Sequence, residues 1–114
     1  MYISIFKGKF RCYEPTQHWS YRKSRQEVLL DNIPKGNLLQ SFYVDRGHYR
    51  GAEIHYVFSN GVVVIVNAKT KRLITKLIAR PKQVIRYYHA TGLTPPMELI
   101  GVCYYNTMVR HLNY

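Results

Sequence analysis

The spacing of apolar and polar positions changes along this chain, and the changes divide it into segments. Residues 1–19 begin with a short strand-like run, Tyr2-Ile3-Ser4-Ile5-Phe6, and pass into Glu14-Pro15-Thr16-Gln17-His18-Trp19, which reads as a loop or arm. Residues 20–33 have helical spacing. Val28, Leu29, Asn32 and Ile33 form a stripe behind a basic front of Arg22, Lys23, Arg25 and Gln26, and Pro34 and Gly36 close the segment. From Gln40 the period becomes two. Phe42-Tyr43-Val44 is β-rich, Ala52–Ser59 alternates Ile54, Tyr56 and Phe58 with His55 and Val57, and Asn60-Gly61 is a hairpin signal in which both residues tolerate positive φ.

Val62–Val66 is wholly apolar, so it predicts a strand covered on both faces, and Leu73–Ala79 predicts the next strand after a turn at residues 67–72. Pro81 suits the first turn of a helix, with Val84, Ile85 and Tyr88 inward and Gly92 placed to cap it. After Pro95-Pro96, residues 97–112 predict a closing helix with Met97, Ile100, Tyr104 and Met108 inward. The fold class predicted is α+β, in one domain over residues 1–114. An N-terminal helix (20–33) precedes an antiparallel meander of three to four strands (40–80), and C-terminal helices (81–112) cover one sheet face. The other face or its rim is left for whatever the surface binds.

The 114 residues suit one modest core, and the hydrophobic share of 46% is too high for a disordered tail. The longest apolar run falls far short of the ~20 residues of a membrane span. The opening residues lack the basic front and cleavage site of a secretory signal. A soluble cytoplasmic protein, in a bacterial host cell, is the expectation. Cys12 and Cys103 lie far apart with no zinc-type spacing, so they read as structural thiols.

Charge adds a partner class to this picture. Seventeen Lys and Arg against six Asp and Glu give a net +11, which attracts polyanions, nucleic acid first. No acidic residue occurs between Glu53 and Glu98, while Lys69, Lys71, Arg72, Lys76, Arg80, Lys82 and Arg86 crowd together. An ordinary solvated surface mixes signs, so this block reads as a phosphate-facing footprint, with Gln83 able to orient a phosphate. Exposed members of the eleven tyrosines could stack unpaired bases, though most serve packing.

The sequence holds no Gly-rich phosphate loop, and Asp45 and Glu53 do not form a two-metal pattern, so no cofactor and no metal site are expected. Catalysis would run on His, Lys, Arg, Thr and Tyr. That inventory suits RNA cleavage by the RNA's own 2′-hydroxyl, which needs proton transfer and cations around the phosphate. His48, in the loop Arg46-Gly47-His48-Tyr49-Arg50, and His55, mid-strand, are the candidate acid and base, though His55 could equally be a core histidine. Thr75 is a further candidate, and Arg80 stands just before a helix N-terminus, where free N–H groups favour anions. Lys82 and Arg86 lie four apart on that helix, and an anion between them would relieve their repulsion.

Asn60-Gly61, Asn67-Ala68-Lys69-Thr70, Arg80-Pro81-Lys82-Gln83-Val84-Ile85-Arg86-Tyr87-Tyr88 and Thr91-Gly92 together resemble the C-terminal portion of colicin D-like toxin nucleases. These belong to the barnase–EndoU–colicin–RelE grouping of small ribonuclease domains carried by phages and other mobile elements. The resemblance implies metal-independent cleavage of tRNA or mRNA, with His55, Lys71 or Arg72, Thr75 and Arg80 in the site and a cognate inhibitor as a possible partner. Two rival expectations stand beside it. One is a non-catalytic inhibitor, such as an anti-CRISPR protein, that grips guide RNA or a host nucleoprotein effector. The other is an interaction protein whose charge matches an acidic partner.

Overall fold

The alternating and apolar runs after residue 37 assemble into one sheet, to which the first residues of the chain add an edge. A computed structural model describes residues 1–13, 36–47 and 51–112. The helix expected over 20–33 lies outside these residues, as does His48. Five strands run antiparallel, each beside its neighbours in sequence order: β1 (Tyr2–Ile5), β2 (Leu38–Asp45), β3 (Ala52–Phe58), β4 (Val62–Asn67) and β5 (Leu73–Ile78). Two helices follow, α1 (Pro81–Ala90) and α2 (Met97–Leu112).

This corrects the expected fold in its strand count: the sheet has five strands rather than three or four. The extra strand is β1, whose four residues carry too short a pattern to stand alone. It is stabilised by remote pairing, Ile3 opposite Val44 and Ile5 opposite Phe42. None of the helices among the described residues is long and apolar enough to cross a membrane.

Hairpin chemistry sets the register of β3, β4 and β5. Gly61 takes φ +84° and its N–H bonds the Phe58 carbonyl at 3.0 Å, so the connection is a three-residue loop closed by a left-handed glycine. Asn60 keeps negative φ, contrary to the expectation for the pair, because the turn contains Ser59 as well. At the next turn the Asn67 side chain accepts from the N–H groups of Lys69 and Thr70, and Lys71 takes φ 62°.

The two sheet faces bury separate clusters, as period two requires. On one, Ile3, Phe42, Val44, Val57, Val63 and Ile65 meet Val84, Tyr87 and Tyr88 of α1 and Leu99 and Cys103 of α2. On the other, Ile54, Tyr56, Phe58, Val62, Val64 and Val66 lie under Phe6 and Cys12 of the N-terminal segment, with the Phe10 ring edge-on to Tyr56 and Phe58. Residues 6–13 thus cross the back of the sheet, and Tyr13 bridges in parallel to Arg72 beside β5. That face is not free for a basic surface.

The helices also differ from expectation in which sides they bury. Tyr87 and Tyr88 are both buried and Ile85 only partly, while Met97, Tyr104 and Met108 are exposed and Leu99 and Cys103 face the core. The inward stripe of α2 starts two residues later than the periodicity suggested, because Leu99, not Met97, is the residue that packs on the core. Gly92, at φ +74°, ends α1 in a Schellman arrangement, with Leu93 N–H to the Tyr88 carbonyl and Gly92 N–H to the His89 carbonyl. An Asn106 side-chain N–H donates to the Asn60 carbonyl at 2.8 Å and ties α2 to the β3–β4 turn.

Candidate functional site

Strand alternation puts Glu53 and His55 on the helix-covered face of β3, two residues apart and pointing the same way. Helical spacing does the same for Gln83 and Tyr87, four apart on α1. The two pairs meet. The His55 Nδ1 lies 2.5 Å from the Tyr87 hydroxyl, and its Nε2 lies 2.9 Å from Glu53 Oε1. Arg46 Nε donates to the same carboxylate oxygen at 2.7 Å, and Gln83 Nε2 donates to the Tyr87 hydroxyl at 2.7 Å. A continuous chain therefore runs Arg46–Glu53–His55–Tyr87–Gln83.

Donor and acceptor inventory fixes the protons in that chain. A carboxylate only accepts, so His55 Nε2 carries its hydrogen toward Glu53; the neutral ring then accepts at Nδ1, and the Tyr87 O–H donates there. Burial holds His55 below its ordinary value and outweighs the pull of Glu53 in the other direction. Burial alone would raise Glu53, but the bonds from His55 and Arg46, with their charges, outweigh it and hold the carboxyl below the usual carboxylate range. Burial pushes the Tyr87 hydroxyl up to about 12, against the lowering effect of Gln83 and the nearby arginines.

Both histidine and carboxylate shifts have the same consequence for stability. Near neutral pH the folded chain holds His55 neutral while an unfolded chain takes up a proton below about 6.5. Stability therefore falls as pH drops below that value, and Glu53 adds a further loss at lower pH, as the carboxylate protonates. The melting temperature is expected to decline from pH 7.5 to pH 5, and His55→Gln to flatten that decline. Parallel thermal melts of the two proteins check it; equal slopes would show that His55 is not held neutral.

The chain of bonds forms one wall of a cleft of about 450 Å³ between α1 and the β1–β2–β3 side of the sheet. Met1, Val44, Arg46, His55 and Tyr87 line it together with Arg80, Lys82, Gln83 and Arg86. Arg80 is the N-cap residue of α1, where no side chain caps the helix and no acid occupies the first turn, so the positive end of the helix dipole faces uncompensated. Lys82 and Arg86 are exposed on the same helix. Glu53, the carboxylate beside these cations, is already engaged by Arg46 and His55.

Of the residues singled out in the sequence, the structure brings His55, Arg80, Lys82, Gln83 and Arg86 together. The others lie elsewhere. Thr75 shares a cross-strand row with Ile65 and His55 but stands two strands from His55, and its hydroxyl donates to the Lys76 carbonyl. Lys76 pairs with Val64, whose side chain belongs to the opposite face. The Lys71 ammonium donates to the Ala68 carbonyl and sits 5.4 Å over the Phe6 ring, while Lys69 and Arg72 are exposed on the same distal turn. The basic block is contiguous in sequence but split by the sheet. His89 is exposed at the end of α1. Cys12 and Cys103 lie on opposite faces and form no disulfide.

Arg46, Glu53 and Tyr87 escaped the sequence reading as site residues. Their signal was spacing alone: Glu53 and His55 at i and i+2 on a strand, Gln83 and Tyr87 at i and i+4 on a helix. Among the described residues no three His, Cys, Asp or Glu side chains group as metal ligands. No protein-family model, curated protein or solved structure matches this chain, so the likeness to the toxin ribonuclease grouping rests on its short motifs alone.

Proposed function

We propose that this cleft binds the phosphodiester backbone of RNA and promotes its cleavage by the adjacent 2′-hydroxyl, without a metal ion. The observation that carries this reading is the shared cleft: four cationic side chains, Arg46, Arg80, Lys82 and Arg86, line the same hollow as a hydrogen-bonded imidazole. Cations at that spot neutralise charge developing on a pentavalent phosphate, and the His55-centred chain offers a proton acceptor. The volume is enough for about one nucleotide with its flanking phosphate. An RNA-directed role in the cytoplasm fits the net charge of +11.

A second reading, a grip on RNA or on an RNA-containing effector without cleavage, is favoured by one observation. His55 is 1% exposed and both ring nitrogens are bonded within the protein. One experiment separates the two. Short synthetic RNA and DNA of matched sequence are incubated with the protein in EDTA, and products and binding are followed together. Cleavage of RNA alone, leaving 2′,3′-cyclic phosphate ends, is the expected result. RNA bound but intact supports the grip, and RNA neither bound nor cut overturns both.

A further inference from the structure

We propose that the group meeting the substrate's 2′-hydroxyl is the phenolic oxygen of Tyr87, with His55 and Glu53 as positioning residues behind it. This rests on the cleavage reading and deepens it. His55 faces Tyr87 on one side and Glu53 on the other, so neither ring nitrogen is available to a ligand. Any proton that reaches the imidazole from the cleft must come through the Tyr87 hydroxyl. That oxygen donates to His55, accepts from Gln83, and keeps one acceptor position for a substrate O–H. The ring is fixed for the task, stacked on Phe42 at 5.1 Å between centroids and 14° between planes.

The step balances. The 2′-hydroxyl proton passes to Tyr87 Oη as the Tyr87 proton passes to His55 Nδ1, and Glu53 holds the resulting imidazolium. The 2′-oxygen electron pair forms the O2′–P bond; the P–O5′ bond breaks with its pair on O5′, which takes a proton from water. His55 then returns its proton through Tyr87 to solvent. Because burial keeps the Tyr87 proton on at neutral pH, the two transfers are coupled and no free phenolate precedes attack.

Groups facing His55 and Tyr87 are Glu53 from β3, Arg46 beyond β2, and Gln83 and Arg86 from α1. Tyr87→Phe keeps the ring and removes the oxygen. It is expected to lower the cleavage rate at saturating RNA at least about 100-fold, the span of a lost general base, while anisotropy-measured RNA affinity changes less than about threefold. Tyr87 replaced by 3-fluorotyrosine, nearly isosteric, donates more strongly to His55 Nδ1 and holds that ring neutral. It should instead shift the acid limb of the pH–rate profile, which His55 governs, to lower pH, and it covers the case in which Tyr87→Phe fails to fold. Tyr87→Phe cutting RNA at the wild-type rate, or an unmoved profile for the fluorinated protein, overturns the assignment and leaves the cleavage reading standing. A wild-type protein that binds RNA without cutting it overturns both.

Discussion

Replacing Arg80 and Arg86 together by alanine is expected to lower affinity for single-stranded RNA by at least about 100-fold near 0.1 M salt. Each guanidinium offers charge-assisted hydrogen bonds of about 1.5–3 kcal/mol, and two that act on the same phosphate path amount to about 3 kcal/mol or more. The loss has a second signature. Every phosphate contact with a single strand contributes about 0.7 to the slope of log affinity against log salt, so the double variant should shed about 1.4 of that slope. Anisotropy titrations of a labelled RNA at several salt concentrations measure both. The paired control is Lys69→Ala with Arg72→Ala, which removes as much charge from the exposed turn between β4 and β5, away from the cleft. It should cost less than about threefold. Equal losses from the two pairs would mean that net charge, not the cleft, governs binding.

Phe42→Ala should destabilise the fold by about 3–5 kcal/mol, the cost of emptying an aromatic site in a packed core. Phe42 is 0% exposed, lies between the β1 and β3 partners Ile5 and His55, stacks on Tyr87 and meets Tyr88 edge-on at 5.3 Å. Such a loss is a large part of the ~5–15 kcal/mol that holds a domain together, and the melting temperature should drop by more than about 12 °C. Phe42→Leu, which leaves less of a hole, should cost less than half as much. Denaturant titration of the three proteins checks the order; an alanine variant as stable as wild type would show that α1 does not depend on this ring.

Period and turn chemistry made the hairpin region readable from sequence. Ile54, Tyr56 and Phe58 alternate cleanly, and Asn60-Gly61 and Asn67 mark the reversals, because both signals are local. β1 was not legible as a sheet member, since its pairing with β2 joins residues such as Ile3 and Val44 that are remote in sequence. Which tyrosines are buried was not legible for a related reason. Tyr87 and Tyr88 are both buried while Tyr104 and Tyr105 are both exposed, which depends on how each helix is rotated against the sheet.

The site divided along the same line. Arg80, Lys82, Gln83 and Arg86 share one helix start, so sequence proximity already grouped them. Lys71 and Lys76 look like members of that block, but a strand sends alternate side chains to opposite faces and a turn carries others away. Glu53 stands two residues before His55 on β3, while Arg46, just past the end of β2, reaches that carboxylate only through the β2–β3 register, in which Val44 lies opposite Glu53.

The N-terminal segment carries a consequence for the order of assembly. Residues 2–5 close one edge of the sheet and Tyr13 reaches the other, so this stretch acts as a belt drawn around an object that must exist first. It is synthesised before any of the strands it clasps, and waits while the four strands β2–β5 gather. Such distant closures are slow. Until they occur, the backbone groups of β2 and the aromatic back of the sheet stay open to a neighbouring chain, which makes the unbuckled intermediate the state most exposed to self-association.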